Sequence, residues 1–493
     1  MRFLRVLHWE WRLATSERSY GMTLAILSGL TLLADLAGVS WAAERRGVID
    51  STRAREAENL RFMRSAFSDE ADLETIAGRR LSASERTQAK TLRVIAKLPT
   101  SLAYFGSNWS ALLRPSFLAP LAIGHSDLWP DRFAITAWSK RTNLEREDVV
   151  NPFHLATGPF DPSTLVVAIL PLVLIVLTHD MISADRERGI LALTLSQPTP
   201  YSQVVLARLV TRVVVPSALV IGVSALGLVI AGGANRFAAG PAVRFVLWSA
   251  LVLLYGAFWG GLALMVNALG NSSGANAILL VVFWVGTVIV GPAAVVKGAA
   301  LASPVPPRSE LITVERAIRA EAEKNGQELL DRYYRDHPTL VRPDRKADPH
   351  GQTRWDAIAL EVDRRMQPEF DRFRGRFEGQ FHFSARWQPL APALAVKSAM
   401  NDLAGTSLEH HLEFTARAED YHSAFMDDLR PMMMTRHELS RPEFDRLPRY
   451  DDHGLADAIH AATIARGFGV LGAWSMVFYL TSILRLRRAI AVS

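Results

Sequence analysis

Apolar runs of about twenty residues alternate along this chain with long charged stretches. Six runs stand out: residues 21–43, 162–182, 204–232, 245–268, 275–296 and 467–484. At about 1.5 Å of rise per residue, each can cross a hydrocarbon core of about 30 Å as a helix. The first run follows Arg2, Arg5, Arg12 and Arg18, the outline of a secretory signal. It is longer than the roughly 7–15 residues of a signal core, so a retained span is expected. The fourth and fifth runs are separated only by Gly270-Asn271-Ser272-Ser273-Gly274, which reads as a tight turn between antiparallel helices and not as a phosphate cradle.

Two long segments lie between the spans, residues 44–161 and 298–466, and hold more than half of the 493 residues. Phe414, Ala418, Tyr421, Phe425 and Leu429 recur at spacings of three and four, the mark of one buried helical stripe. Thr406 or Ser407 is placed to cap that helix, with Glu409 and His410 in its first turn and Pro431 expected to close it. Ile358, Val362 and Met366 form a similar stripe, expected to break at Pro368 and resume at Phe370, Phe373 and Phe377; Leu60, Met63 and Phe67 form another. Ser303 to Pro307 and Arg342 to Pro349 read as loops. No strand alternation runs far. The pattern therefore predicts an all-α membrane protein: six transmembrane helices with a mainly α-helical extracytoplasmic domain built from the two insertions.

Charge orients this topology. The tail, residues 485–493, carries Arg485, Arg487 and Arg488; residues 1–20 carry four arginines; and Arg186, Arg188, Arg208 and Arg212 flank the segment 183–203. With six spans all three lie on one side, and the excess of short-loop arginine makes that side cytoplasmic, in an inner (plasma) membrane. Arg45 and Arg46 follow the first span on the other side, but they open a long segment, which the rule governs poorly. The overall balance of 55 basic to 49 acidic residues, with no compact basic run, argues against a nucleic-acid partner.

Candidate chemistry is sparse. With no cysteine, disulfides, thiolate catalysis and Cys-ligated metals are excluded. His437-Glu438 begins like H-E-x-x-H, but Arg441 stands at the second histidine. Glu409, His410, His411 and Glu413 lie on one helix and read as surface polar residues; no set of three or four convergent ligands is discernible. No Walker-type G-x-x-x-x-G-K-[ST] occurs, so any ATP hydrolysis belongs to another chain, and no catalytic residue is assigned. Asp35, His179 and Asp180 are the main polar groups at membrane depth. Asp35 should face protein or water, paired with a neighbouring helix, and three such groups are too few for a proton relay.

The informative stretch is Ser183 to Pro198, SADRERGILALTLSQP. It reads as a short amphipathic helix along the inner membrane surface, with charges such as Asp185 and Glu187 exposed beside Leu191, Leu193 and Leu195, a surface suited to a groove on a cytoplasmic partner. This stretch resembles the signature of ABC-2 type transporter permeases. Glu187 and Gly189 stand at the acidic and glycine positions, a leucine-rich run follows, Ser196-Gln197-Pro198 is the Ser-x-Pro element, and Ala207-Arg208 falls at the closing Gly-Lys. Ile190 and Tyr201 depart from the usual Thr and Arg. The amphipathic N-terminus with Trp9-Glu10-Trp11-Arg12 resembles the elbow helix of the same family. Gln388 to Pro392, Asn401 to Thr406 and His411 to Phe414 are similar to a subgroup with large outer domains.

The resemblance implies a permease subunit that couples to two cytoplasmic ABC ATPase subunits through Asp185, Glu187, Gly189, Leu191, Leu193, Ser196, Gln197 and Pro198. ATP and Mg2+ would sit on those subunits, with no cofactor in this chain. It further implies a second permease copy or a paralogue, and outward transport. Two other readings stay open: a subunit that passes ATPase-driven motion to a periplasmic partner without moving a substrate, and a membrane-anchored hydrolase or sensor.

Overall fold

Among the described residues, six helices are long and apolar enough to cross a membrane: Arg18–Ser65, Pro162–Glu187, Tyr201–Ala231, Gly240–Asn267, Ser273–Ala302 and Ala461–Arg487. The computed structural model describes residues 2–68, 72–105, 109–124, 126, 129–137, 160–197, 199–231, 239–340, 352–435, 437–452, 454–455 and 458–492. Among them the protein is an all-α membrane protein whose strands are confined to one antiparallel pair, Ser110–Leu112 and Arg132–Ala134, with Ala111 opposite Phe133.

The spanning helices bury one continuous core that includes Leu27, Leu174, Val220, Trp248, Leu280 and Leu471. Its middle is filled by rings: Tyr255, Phe258 and Trp259 of the fourth span lie against one another, and Phe258 also meets Phe283 of the fifth and Phe478 of the sixth. The outward faces stay apolar and exposed, as lipid-facing helices must be; Ile278, Val282 and Ile289 on the fifth span are examples.

Three spans contain a widened π turn, at Leu165–Ile169, Val210–Val214 and Val285–Val290. Each ends two residues before a proline: Pro171, Pro216 and Pro292. A proline inside a helix has no N–H to give and crowds the carbonyl four residues back, so the turn opens to make room. Neighbouring side chains bond carbonyls within these opened turns. Tyr255 Oη donates to the Val167 carbonyl (3.1 Å), Trp284 Nε1 to that of Ala168 (3.0 Å) and Tyr20 Oη to that of Thr211 (2.7 Å).

The two long insertions fold together on one face of the bundle. One of their cores joins Met63, Leu92, Leu102, Trp109 and Phe133 of the first to Phe414, Phe425 and Leu429 of the second. Another, around Leu330, Ile358, Val362 and Met366, packs on Met434. The first span does not end with its apolar run: Arg18–Ser65 is a single helix that carries Met63 into the domain core. The prolines expected to stop two domain helices do not. Gln352–Trp387 runs through Pro368, and Leu408–Thr435 runs through Pro431. In each, buried residues on both sides of the proline, Met366 with Phe370 and Leu429 with Met433, hold one face in register, and that burial outweighs the roughly 3 kcal/mol a proline costs. Arg342 to Pro349 lies outside the described residues.

Two pieces of the insertions enter the bundle core itself: Leu118, Leu121 and Ala122, and the helix Pro392–Leu403 through Val396, Ala399, Met400 and Leu403. Close approach requires glycine on the spanning side. A Cβ on Gly38 would sit 1.9 Å from the Pro120 carbonyl oxygen, and one on Gly467 would sit 2.7 Å from Ala399 Cβ.

Candidate functional site

On the face opposite the domain, the segment expected to form one amphipathic helix is two short ones, Ser183–Glu187 and Leu191–Leu195. They are separated at Gly189, whose φ of +68° lies in the left-handed region open to glycine. The Ile190 N–H returns to the Asp185 carbonyl at 2.8 Å and closes the turn.

Asp185 does not point outward as the sequence suggested, whereas Glu187 stays exposed. Asp185 accepts from Arg208 Nη1 of the third span at 2.7 Å, and the same guanidinium reaches Glu10 at 3.1 Å and the Met181 carbonyl at 2.6 Å. All three charged side chains are 10–15% exposed, so the trio is largely desolvated. Glu187 accepts from Ser273 N (2.6 Å) and Ser273 Oγ (3.0 Å), which places a carboxylate on the positive end of the fifth span.

The last carbonyls of the second span would be orphans at a broken helix end, but other spans supply donors. Arg212 reaches Leu177 O (3.0 Å) and Asp180 (2.8 Å), Asn267 reaches Thr178 O (3.1 Å) and Asn276 reaches His179 O (3.2 Å). Asn267 Oδ1 in turn accepts from the N–H groups of Ile182 and Ser183. Residues 183–197 are thereby tied to the N-terminal helix Arg2–Ser16 and to the third, fourth and fifth spans. What this leaves on the surface is Arg186, Glu187, Arg188, Gly189, Ile190, Ala192, Leu193, Ser196 and Gln197, with Leu191 half-buried. Pro198 lies outside the described residues. Ser272 falls within a G-x-S-x-G spacing, but it sits between two helices and caps the second through Ala275 N, whereas a nucleophile elbow follows a strand.

Within the bundle, Asp35 is 3% exposed and lies against the third span, facing Ser224 and Gly227; a Cβ on Gly227 would come 3.1 Å from its carboxyl carbon.

At the domain end of the second span, Asp161 is fully buried and holds both insertions. Its carboxylate accepts from Ile123 N (2.8 Å), Thr164 N (2.6 Å) and Ser163 Oγ (2.8 Å), and pairs with Lys397 Nζ at 3.1 Å. Burial opposes its ionisation, but the Lys397 ammonium and the Thr164 and Ser163 hydrogen bonds prevail and hold the carboxyl below its usual range. Lys397 completes its three donors on Ser163 Oγ (2.5 Å) and Thr164 Oγ1 (2.8 Å).

His410 is not the surface residue the sequence suggested. It is 1% exposed, with Nε2 3.0 Å from the Ala458 carbonyl and Nδ1 2.7 Å from Ser407 Oγ. Beyond Ser407 lies Asp402, fully buried, which meets Ser407 Oγ (3.1 Å) and both the ring Nδ1 (2.6 Å) and backbone N (3.0 Å) of His460. Burial pushes the His410 imidazole below its usual range, against the pull of Asp402. Three groups of metal-ligating type therefore converge where none was discernible in the sequence. Asp402 and His460 were missed because 58 residues separate them and neither belongs to a short motif. His411 instead lies tilted against Trp129, ring centroids 4.6 Å apart; Glu409 bonds Thr463; Glu413 pairs with Arg417; and His437 meets Glu443 at 3.1 Å.

Fold and surfaces thus define a multi-pass membrane protein with one large helical domain on a single face. Residues 308–452, most of the second insertion, match a family described as Domain of unknown function (DUF3526). No curated protein of similar sequence was found.

Proposed function

We propose that this chain is the permease subunit of an ATP-driven ABC-2 type transporter, with both termini and residues 183–197 cytoplasmic and the domain outside an inner membrane. It works with two ABC ATPase subunits, which carry ATP and Mg2+, and with a second permease chain. The observation that carries the reading is the clamping of residues 183–197. Their exposed side offers Ile190 and Leu193 just beyond Arg186 and Arg188 in the chain, a face fit for a groove. Their buried side is bonded into several spans at once. Motion delivered at Ile190 and Leu193 passes through Asp185 and Arg208 to the third span and the N-terminal helix, and through Glu187 and Ser273 to the fifth, by rigid-body movement. Export is the default direction by family resemblance.

The test is co-purification from detergent. An ABC ATPase should accompany the wild-type chain and be lost with Ile190→Asp/Leu193→Asp, both exposed, while thermal stability stays within about 0.5 kcal/mol. Recovery of the wild type with no ATPase subunit would overturn the assignment.

A second reading, force transmission to a periplasmic partner without substrate passage, is favoured by the ring-filled bundle core and by Asp161, which ties the second span to both insertions. Reconstituted vesicles separate the two. Substrate flux supports transport, whereas ATPase stimulation by a domain-binding protein without flux supports force transmission.

A further inference from the structure

The geometry points to a divalent-metal site, with zinc the best-suited ion, formed by Asp402, His410 and His460 where the domain meets the sixth span. The three come from separate stretches: the end of Pro392–Leu403, the first turn of Leu408–Thr435, and the residue before Ala461. Their ligand atoms lie within 4.8 Å of one another. Two imidazoles and a carboxylate, with no sulfur, form the donor set of three-ligand zinc sites, which leave a fourth position for water.

The hydrogen bonding orients the groups toward one another. His410 Nε2 faces an acceptor, the Ala458 carbonyl, which leaves Nδ1 turned toward Ser407 Oγ at 2.7 Å. The same hydroxyl lies 3.1 Å from Asp402 Oδ1, which also meets His460 Nδ1 at 2.6 Å. Asp402 is fully buried and His460 partly exposed, so the two imidazoles and the carboxylate meet at the edge of the domain core. A cation placed among them would be held by all three.

The surroundings match what such a site requires. Ligating histidines give their other ring N–H to a carbonyl or carboxylate. His410 does so to Ala458 O, and His460 Nε2 lies 3.9 Å from Glu413 Oε2. On binding, the His460 proton now shared with Asp402 at 2.6 Å moves from Nδ1 to Nε2, facing Glu413. The two ligand atoms separate to roughly 3.3 Å, the spacing of donors about 2.0–2.1 Å from a tetrahedral centre. An entry path is present: a cleft lined by Trp41, Arg45, Trp129 and Asp131 reaches Ser407 and His410.

The experiment uses the purified full-length chain in detergent, stripped with a chelator and titrated with Zn2+ and with Co2+. The expected result is one ion per chain, visible Co2+ bands of a four-coordinate site that Zn2+ abolishes, and a rise in melting temperature with Zn2+. His460→Ala should abolish the bands, Glu413→Gln should weaken affinity by roughly 10–100-fold, and His411→Ala should leave it unchanged. Absence of saturable Co2+ binding in the wild type, or binding that survives His460→Ala, overturns the site. If His460→Ala does not fold, the wild-type titration alone decides.

Discussion

Arg208 reaches the Asp185 carboxylate at 2.7 Å from within the third span, and its other side holds Glu10 at 3.1 Å. Three nearly desolvated charges satisfy one another, and deleting the central one strands two carboxylates. Arg208→Ala is expected to cost about 3–5 kcal/mol, and Arg208→Lys less, since an ammonium keeps the charge but loses the fork. Thermal unfolding in micelles measures both. An Arg208→Ala protein that melts with the wild type would show that the trio contributes nothing.

Asp161 and Lys397 make the corresponding junction on the domain face, and here the two partners should differ. Lys397→Met leaves a buried carboxylate without its cation, while Asp161→Asn leaves the lysine two hydroxyl acceptors. Lys397→Met should therefore be the more destabilising. A double-mutant cycle should return a coupling of about 1–3 kcal/mol, where additivity would mean that the pair acts independently.

Gly38 is the contact through which the first span admits Pro120. Gly38→Ala forces two backbones apart and should cost about 1–3 kcal/mol or more. Gly29→Ala, on the same helix with open space around it, should be neutral or slightly stabilising. Equal melting temperatures for the two variants would contradict the packing.

Asp356 supplies a pH dependence. It is 1% exposed and 3.7 Å from Arg430, and burial, only partly offset by that arginine, pushes its carboxyl up to about 6 from an ordinary 3.8. Because the folded value is the higher one, the native state keeps a proton between about 4 and 6 that the unfolded chain has released. Stability from this group is highest below that window and is lost as pH rises through it. The domain should melt at a higher temperature at pH 5 than at pH 7, and Asp356→Asn should flatten that difference.

Much of the architecture was legible because lipid leaves so few solutions. Six apolar runs of adequate length read directly as six helices, and the stripe from Phe414 to Leu429 as a helix with one buried face. Local rules failed where distant packing outweighed them. Pro368 and Pro431 stop a helix in isolation but not between Met366 and Phe370, or between Leu429 and Met433, whose burial holds the turn closed. At the candidate site the residue types were recognisable and their directions were not. Asp185 looked outward because its partner, Arg208, lies 23 positions away in the chain, on another span. The cluster at Asp402 was hidden for the same reason: hydrogen bonding between remote segments leaves no periodicity to read.

The unbroken helix Arg18–Ser65 has a mechanical consequence. Its 48 residues extend about 72 Å, more than twice the hydrocarbon thickness, so its far half stands inside the domain as a mast. A mast held at its foot multiplies angle into travel, and a tilt of about 5° swings its tip through roughly 6 Å. Small reorientations within the bilayer would thus arrive at Met63 as displacements large enough to repack whatever leans on it.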